Sequence, residues 1–377
     1  FCTYGSERVA GCPDVDFIIR GEGEAPLREL SLAIINDTSH KEIANLVYRD
    51  GDNLIQNDMR PAMELNDIPF ADYDVFIKND KDTLYRPMCG SIYKTISLET
   101  QRGCPFKCSF CNSASNNPLY KEETGSVFFR KKEMPRLAEE LDYMISTINP
   151  ELVYFVSDVF LLMTDREFDE FYEVYSSYKI PFFMQTRAET ITEYRVRKLE
   201  ELNCLRANGG LEHGNEQFRR DVVKRKLKDV EITQAFNIIG SSSISTAANN
   251  IIGFPTETRE LIFDTINLNR TVSKNVDSVS CFIFAPYMGT PLRDMAVEKG
   301  YMSTDTLVDK NSFAETLLTM PELSSDTLMG LQRTFTMYVR FPKERWDEIR
   351  KAEELSPEGN MVFEKLSEEL VSEYAVG

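Results

Sequence analysis

Three cysteines, Cys104, Cys108 and Cys111, lie within eight residues of one another, and the neighbouring Gly103 and Pro105 predict that the segment is a loop. Three thiolates do not complete a structural zinc site, which takes four ligands, and no fourth Cys or His lies nearby in the sequence. On a [4Fe–4S] cluster the same three thiolates leave one position open to a ligand. The spacing therefore favours an open iron–sulfur site; an accidental spacing, or a zinc site with a remote ligand, is the alternative.

The pattern C-x3-C-x2-C, with the aromatic Phe110 directly before the last cysteine, resembles the loop of the radical S-adenosylmethionine (radical SAM) superfamily. The resemblance implies that Cys104, Cys108 and Cys111 bind three irons of a [4Fe–4S] cluster. It also implies that the fourth iron chelates the amino and carboxylate groups of S-adenosylmethionine. Phe110 would then lie against the adenine ring.

The elements that must position this loop are strands and helices that alternate after residue 90, a pattern that predicts parallel strands with helices packed outside. Strand-like runs cover 93–98, 152–156, 182–185, 204–207, 244–252 and 278–284. Helical patterns cover 132–148, 166–178, 192–202, 216–223, 230–239 and 259–272. Six repeats predict an incomplete (β/α)6 TIM-like barrel within an α/β fold, with its chemistry at the carboxyl ends of the strands. The cysteine loop follows the first strand, at that end.

Polar residues and glycines follow the other predicted strands. Each one alone is typical of a solvated loop charge, a turn or a helix start, but together they would share one rim of the barrel. The segments that carry them, among them RAE, GLEHG, IIGFPTET and APYMGTPL, also resemble one radical SAM subgroup. The implied S-adenosylmethionine contacts are Ser157 and Asp158 for the methionine amino group, Arg187 for its carboxylate, Glu212 for the ribose, and Gly209, Gly210 and Gly253 for backbone room.

Three residues at the predicted strand ends differ from the common pattern of the family. Ser157 and Asp158 stand where the family commonly carries Gly-Gly-Glu, so they depart from its pattern. His213 stands where many relatives carry Ser, and we interpret it as a loop residue in preference to a catalytic acid.

The segments on either side of the barrel resemble the cobalamin-associated radical SAM group. VDFIIRGEGE resembles the end of its cobalamin-binding domain, a doubly wound α/β domain, and the following stretch resembles its linker, with a hairpin turned at Asp50-Gly51. The Asp-x-His-x-x-Gly lower-ligand motif is absent from the sequence, which begins at Phe1, so we expect a fragment that starts inside that domain. The predicted division is a cobalamin-domain stub at 1–35, a linker at 36–90, the radical SAM barrel at 91–300 and a helical tail at 301–377 that would cover the open barrel.

Composition narrows the class of protein. The net charge of −18 argues against non-specific nucleic-acid binding, which needs Lys and Arg at phosphates. Two histidines exclude a three-His zinc site and an H-E-x-x-H metalloprotease. No apolar run approaches the length of a membrane span. Eight cysteines in a chain of 377 residues do not resemble a secreted disulfide scaffold, which favours the reducing cytoplasm and leaves five cysteines as bystanders.

The function implied by the resemblance is an enzyme that reductively cleaves S-adenosylmethionine at a [4Fe–4S] cluster and starts radical chemistry on an unactivated carbon. With cobalamin in the intact protein, methyl transfer is the expected outcome, and ring formation or rearrangement is the other. The expected partners are a small-molecule or peptide substrate and a flavodoxin- or ferredoxin-type reductant. An RNA methylthiotransferase, which would need an RNA-binding module, and a non-catalytic iron–sulfur redox module are the alternatives.

Overall fold

The computed structural model describes residues 2–77, 81–308 and 315–374. In chain order its strands are β1 (Phe17–Ile19), β2 (Leu46–Asp50), β3 (Asn53–Gln56), β4 (Tyr85–Met88), β5 (Ser91–Leu98), β6 (Gln101–Arg102), β7 (Arg130–Lys131), β8 (Leu152–Phe155), β9 (Phe182–Arg187), β10 (Cys204–Glu212), β11 (Ser245–Ile252) and β12 (Ser278–Ile283). Its helices are α1 (Ser6–Ala10), α2 (Glu24–Ile35), α3 (Asp74–Ile77), α4 (Asn112–Thr124), α5 (Met134–Ile148), α6 (Asp165–Tyr175), α7 (Glu193–Glu201), α8 (Glu216–Asp221), α9 (Asp229–Gly240), α10 (Arg259–Val272), α11 (Pro291–Glu298), α12 (Ser325–Arg340), α13 (Trp346–Ala352) and α14 (Pro357–Tyr374).

A seven-stranded sheet in the order β12-β11-β10-β9-β8-β5-β4 forms the centre of the molecule. Within this sheet β5, β8, β9, β10, β11 and β12 are parallel, and β4 joins the edge at β5 as an antiparallel neighbour. Strands β6 and β7 form a separate antiparallel pair. The prediction of an incomplete TIM-like barrel is confirmed, and all six predicted strands are present. The antiparallel β4 was not predicted, because Pro87 interrupts a short run without a clear apolar pattern.

Alternation along the strands separates the core from the interior of the barrel, which we call the lumen. On β10, Ala207 and Leu211 are buried in the core under the helices. The residues that alternate with them, Arg206, Asn208 and Gly210, face the lumen, since successive side chains of a strand point to opposite faces. This polar inward face explains why sequence reasoning ended the strand at 207, whereas β10 continues to Glu212.

The tail is helical, as predicted, and its helix α12 covers the edge of the sheet at β12. Gln332 donates from Nε2 to the carbonyl oxygen of Cys281 at 3.2 Å, and Thr336 donates from Oγ1 to the carbonyl oxygen of Val279 at 3.3 Å. Side chains thus satisfy backbone groups that a further strand would satisfy in a closed barrel.

The segment ahead of the barrel forms an antiparallel sheet in the order β1-β2-β3, with β2 and β3 joined as a hairpin. This unit packs against α4 and β6. Arg20 pairs with Glu123 of α4 through two hydrogen bonds of 3.1 and 2.5 Å. The buried Glu22 accepts from Nη1 of Arg102 at 2.7 Å and is also bonded to Arg130. Arg102 lies two residues before the first cysteine of the loop, so the N-terminal unit directly contacts the segment that enters it. Among the described residues, no helix is both long and apolar enough to cross a membrane.

Candidate functional site

The cysteine loop lies between β6 and α4, and its central residue Ser109 anchors it across the top of the barrel. Ser109 donates from Oγ to the carbonyl oxygen of Val222 at 2.6 Å and from its backbone N–H to that of Val223 at 3.2 Å. The backbone N–H of Leu292 donates to the carbonyl oxygen of Ser109 at 3.1 Å. Segments that follow β10 and β12 therefore fix the middle of the loop.

The three thiols of the loop lie in a secluded environment. Cys104 and Cys108 are buried, and Cys111 is partly buried where it precedes the first turn of α4. Burial raises the pKa of Cys104 to about 12 and also raises the pKa of Cys111, and in both cases the neighbouring Cys108 adds to the shift. In the protein without a bound group, burial therefore favours the neutral thiol at Cys104 and Cys111.

This arrangement fits a cluster better than a single ion. Within the described ranges, no group of three or more His, Cys, Asp and Glu side chains is arranged to hold one metal ion. A [4Fe–4S] cluster does not need its thiolates to converge on one point, because each thiolate binds a different iron. The positive charge of bound iron deprotonates a coordinating thiol, which offsets the burial that raises these pKa values. The donor set, three sulfurs on one anchored loop, suits such a group.

Arg187, at the end of β9, is brought against the loop. Its Nη1 donates to Sγ of Cys108 at 3.1 Å, and its guanidinium carbon lies 3.7 Å from the centroid of the Phe106 ring. Its Nε donates to Glu189 Oε1 at 2.7 Å. Sequence reasoning identified Arg187 but missed Phe106, whose only signal was its position inside the cysteine loop. The assignment of Arg187 to the methionine carboxylate stays a prediction.

Glu212, at the end of β10, forms a buried ion pair with Arg225. Nη1 of Arg225 donates to Glu212 Oε1 at 2.8 Å, and Nη2 donates to the carbonyl oxygen of Gly210 at 2.9 Å. Burial raises the pKa of Glu212, whereas the guanidinium of Arg225 opposes that shift. Arg225 also lies 3.8 Å from Glu189 Oε2, so charges alternate from Arg187 through Glu189 and Arg225 to Glu212. We call these four side chains, together with the cysteine loop, the rim.

Ser157 and Asp158, which follow β8, also reach the rim. Ser157 Oγ lies 2.8 Å from Thr100 Oγ1, and Asp158 Oδ1 accepts from Ser113 Oγ at 2.8 Å in the first turn of α4. Burial raises the pKa of Asp158. These two residues are in the neighbourhood of the thiols, since Asp158 contributes to the raised pKa values of Cys104 and Cys111. Their binding of the methionine amino group stays a prediction.

Phe110 packs near the end of β11, where Gly253 follows the strand. The Phe110 ring lies 5.9 Å from that of Phe254, centroid to centroid. Gly253 adopts φ +83°, and a Cβ there would lie 2.6 Å from Leu328 Cδ2 of α12, so both its backbone and its packing require glycine.

The two glycines of β10 face different surroundings. A Cβ at Gly209 would lie 3.0 Å from Cζ of Phe236 in α9, on the helical side of the sheet. A Cβ at Gly210 would lie 2.2 Å from Glu212 Oε1 on the lumen side. Gly209 thus makes room for a helix, and Gly210 makes room for the carboxylate of the rim.

His213 is buried, and both of its ring nitrogens are occupied. Its Nδ1 accepts from the backbone N–H of Asn215 at 3.1 Å, which leaves the proton on Nε2, 2.9 Å from Glu257 Oε1. Glu257 Oε2 in turn accepts from the backbone N–H groups of Gly253 and Phe254. The histidine therefore links the turns after β10 and β11, as expected of a loop residue.

Residues 98–268 match the family model described as the radical SAM superfamily. These residues include the cysteine loop and the strands from β8 to β11, so the resemblance to this superfamily that the cysteine pattern predicted is confirmed for this part of the barrel.

Two of the relatives are each 25% identical to the chain over the residues that align. An uncharacterized methyltransferase of Pyrococcus horikoshii is 25% identical over 299 residues, which cover 78% of this chain and 60% of the relative. The anaerobic magnesium-protoporphyrin IX monomethyl ester cyclase of Cereibacter sphaeroides is 25% identical over 290 residues, which cover 74% of this chain and 44% of the relative. The chain thus spans 60% or less of either protein.

Solved structures share the fold. One is the cobalamin-dependent S-adenosylmethionine radical enzyme OxsB, in a structure with aqua-cobalamin and S-adenosylmethionine bound. It superposes on this chain with a TM-score of 0.66 at 14% sequence identity, and the match covers 98% of this chain and 57% of OxsB. The radical S-adenosylmethionine methyltransferase TsrM of Kitasatospora setae, with cobalamin and a [4Fe-4S] cluster bound, superposes with a TM-score of 0.57 at 14% identity, covering 78% of this chain and 55% of TsrM.

Proposed function

We propose that the protein binds a [4Fe–4S] cluster through Cys104, Cys108 and Cys111, and that it cleaves S-adenosylmethionine reductively to start radical chemistry on an unactivated carbon. The observation that carries this proposal is the anchored loop of three secluded thiols, with Arg187 bonded to Cys108, at the carboxyl end of a radical SAM barrel. When bound, the cluster supplies the electron that splits the sulfonium into methionine and a 5′-deoxyadenosyl radical.

The residues of this chain bind and orient. Arg187 and Asp158 present opposite charges beside the loop, which suits the carboxylate and the amino group of a methionine moiety. Glu212 offers carboxylate oxygens to ribose hydroxyls, and the guanidinium of Arg225 opposes the rise in pKa that burial causes there. Phe110 offers an aromatic face to the adenine. The secluded position of the thiols limits the access of water to the reacting groups.

We further propose that the complete reaction is cobalamin-dependent methyl transfer. Support comes from the fold shared with OxsB and TsrM and from the N-terminal unit, whose Glu22 bonds to Arg102 in the segment that enters the cysteine loop. The substrate would be a small molecule or a peptide in the lumen, the reductant a flavodoxin or ferredoxin, and the compartment the cytoplasm. The relative named as a monomethyl ester cyclase favours ring formation as a second candidate outcome.

The test is anaerobic reconstitution with iron and sulfide, followed by iron analysis and electron paramagnetic resonance. Wild type should take up about four irons per chain. The variants Cys104→Ala, Cys108→Ala and Cys111→Ala should each lose the reduced [4Fe–4S] signal. Cys12→Ala, which removes an exposed cysteine outside the loop, is the matched control and should match wild type. Full cluster content in any of the three loop variants would contradict the proposal.

A further inference from the structure

Arg206 reaches into the lumen near the end opposite the cysteine loop. On β10 it lies two residues after the strand begins, and its guanidinium bonds to three neutral oxygens. Nε donates to Asn208 Oδ1 at 2.9 Å, Nη1 to Ser245 Oγ of β11 at 3.1 Å, and Nη2 to Ser278 Oγ of β12 at 2.7 Å. We call these four side chains the floor.

The charge of Arg206 has no counter-charge in the part of the chain that the structure describes. A guanidinium carries five N–H groups, and three of those of Arg206 donate to oxygen. Its one further hydrogen-bond partner among the described residues is Sγ of Cys89, 4.0 Å from Nη1. The site arginines Arg187 and Arg225, by contrast, each pair with a glutamate.

The surroundings of Arg206 in the lumen are neutral as well. Tyr154 and Phe183 stack with their centroids 4.7 Å apart, and Gln185 donates to the Tyr154 hydroxyl at 2.8 Å. In register, Arg206 lies opposite Phe183 on β9 and Ser245 on β11. Arg206 is partly buried and its described hydrogen-bond partners carry no negative charge, so an anion that enters the lumen would form a charge-assisted pair with it. The net charge of the chain is −18, so a local positive charge at this place differs in sign from the protein as a whole.

The geometry also pre-organises the guanidinium for binding. Its hydrogen bonds to oxygens on β10, β11 and β12 hold the plane in place before a ligand arrives. A rigid fork loses little conformational entropy when it binds a carboxylate or a phosphate. Three of the five N–H groups hold the guanidinium to the strands, and the other two have no oxygen partner among the described residues, so they are available to a ligand.

We propose that Arg206 binds the anionic group, a carboxylate or a phosphate, of an elongated substrate whose other end reaches the rim. The four residues from Arg206 to Gly210 span about 13 Å along the strand, and the six to Glu212 span about 20 Å. The anionic group would therefore lie roughly that far from the reacting carbon. This substrate class rests on the proposed radical chemistry for the rim end, whereas the anion site at the floor stands on its own geometry.

The probes are octanoate, octyl phosphate and the neutral octanamide, titrated calorimetrically into the reconstituted full chain. Wild type should bind at least one of the two anions and bind octanamide at least tenfold more weakly; the anion preferred identifies carboxylate or phosphate as the source. Arg206→Gln should weaken anion binding about tenfold to a hundredfold, as expected for a charge-assisted pair. Arg206→Lys keeps the charge and should lose less. The matched control is Arg220→Gln, an exposed arginine paired with Asp221, and should bind as wild type does.

Ser278→Ala is a second, milder variant that tests the site if the Arg206 variants fail to fold. It loosens the guanidinium without removing the charge and should weaken anion binding a few-fold with the cluster content unchanged. Equal anion affinity in Arg206→Gln and wild type, or no preference of wild type for an anion over octanamide, would overturn the proposal.

Uncoupled formation of 5′-deoxyadenosine, measured on the same samples, separates this proposal from the proposed function. If wild type forms none but its anion binding still depends on Arg206, the proposed function alone fails. If 5′-deoxyadenosine forms but anion binding ignores Arg206, the floor site alone fails.

Discussion

The rim and the floor of the barrel hold their charges in different ways. At the rim, Arg187, Glu189, Arg225 and Glu212 alternate in sign, and each charge has an opposite neighbour. At the floor, Arg206 donates to three neutral oxygens and to Sγ of Cys89, and no carboxylate among the described residues is bonded to it. Compensated charges fix one another and so set the geometry of a site. A charge that the protein fixes but leaves uncompensated is available to a ligand, which is the basis of our proposal for the lumen.

The largest stability effect should come from breaking the compensated pair at the rim. Arg225→Met leaves the largely buried carboxylate of Glu212 without its partner, and we expect a loss on the order of 3 kcal/mol in the free energy of unfolding. Urea denaturation of the cluster-free protein measures it. Arg220→Met, in an exposed pair, should cost less than about 1 kcal/mol. Similar losses in the two variants would show that the rim pair contributes no more to stability than an exposed ion pair does.

An intermediate loss of stability should follow from a change at the carboxylate of Glu257, which joins the turns after β10 and β11. Glu257→Gln weakens the acceptor for His213 and for the backbone of Gly253 and Phe254, and should cost about 1–3 kcal/mol. Urea denaturation gives the loss, and amide hydrogen exchange should speed up at Gly253 and Phe254. The structural role of His213 would be refuted if His213→Gln abolished S-adenosylmethionine cleavage while the cluster content and the stability stayed at wild-type values.

The smallest effect should come from the floor. Ser278→Ala removes one neutral hydrogen bond from Arg206, and we expect a loss of about 1 kcal/mol or less in unfolding free energy, again from urea denaturation. A loss as large as that of Arg225→Met would mean that the floor, like the rim, holds the fold together, and the contrast between the two ends would disappear.

The fold could be predicted largely from the sequence because the strands bury apolar runs. Helix α4 was missed, since its residues from Asn112 to Thr124 are mostly polar and include Pro118. Its position depends instead on tertiary contacts, among them Nδ2 of Asn117, which donates to the carbonyl oxygen of Cys104 at 2.6 Å. Such contacts join distant parts of the chain and leave no periodic signal.

The candidate site was predictable where residue type and spacing carried the chemistry. The cysteine spacing identified the loop, and the strand ends identified Arg187 and Glu212. Arg225 was not identified, because it lies between Lys224 and Lys226 in a basic run typical of a solvated surface. Its burial depends on Glu212, thirteen residues away, and on the carbonyl oxygen of Gly210. Likewise, nothing in the local sequence distinguishes Arg206 from a surface arginine, because Ser245 and Ser278 come from other strands.

The central claim is that the rim supports reductive cleavage of S-adenosylmethionine at a cluster held by the three cysteines. Its most direct test is the formation of 5′-deoxyadenosine by reconstituted protein supplied with S-adenosylmethionine and a strong reductant. We predict that wild type and Cys12→Ala form the product and that Cys108→Ala forms none. Equal product from Cys108→Ala and wild type would contradict the account.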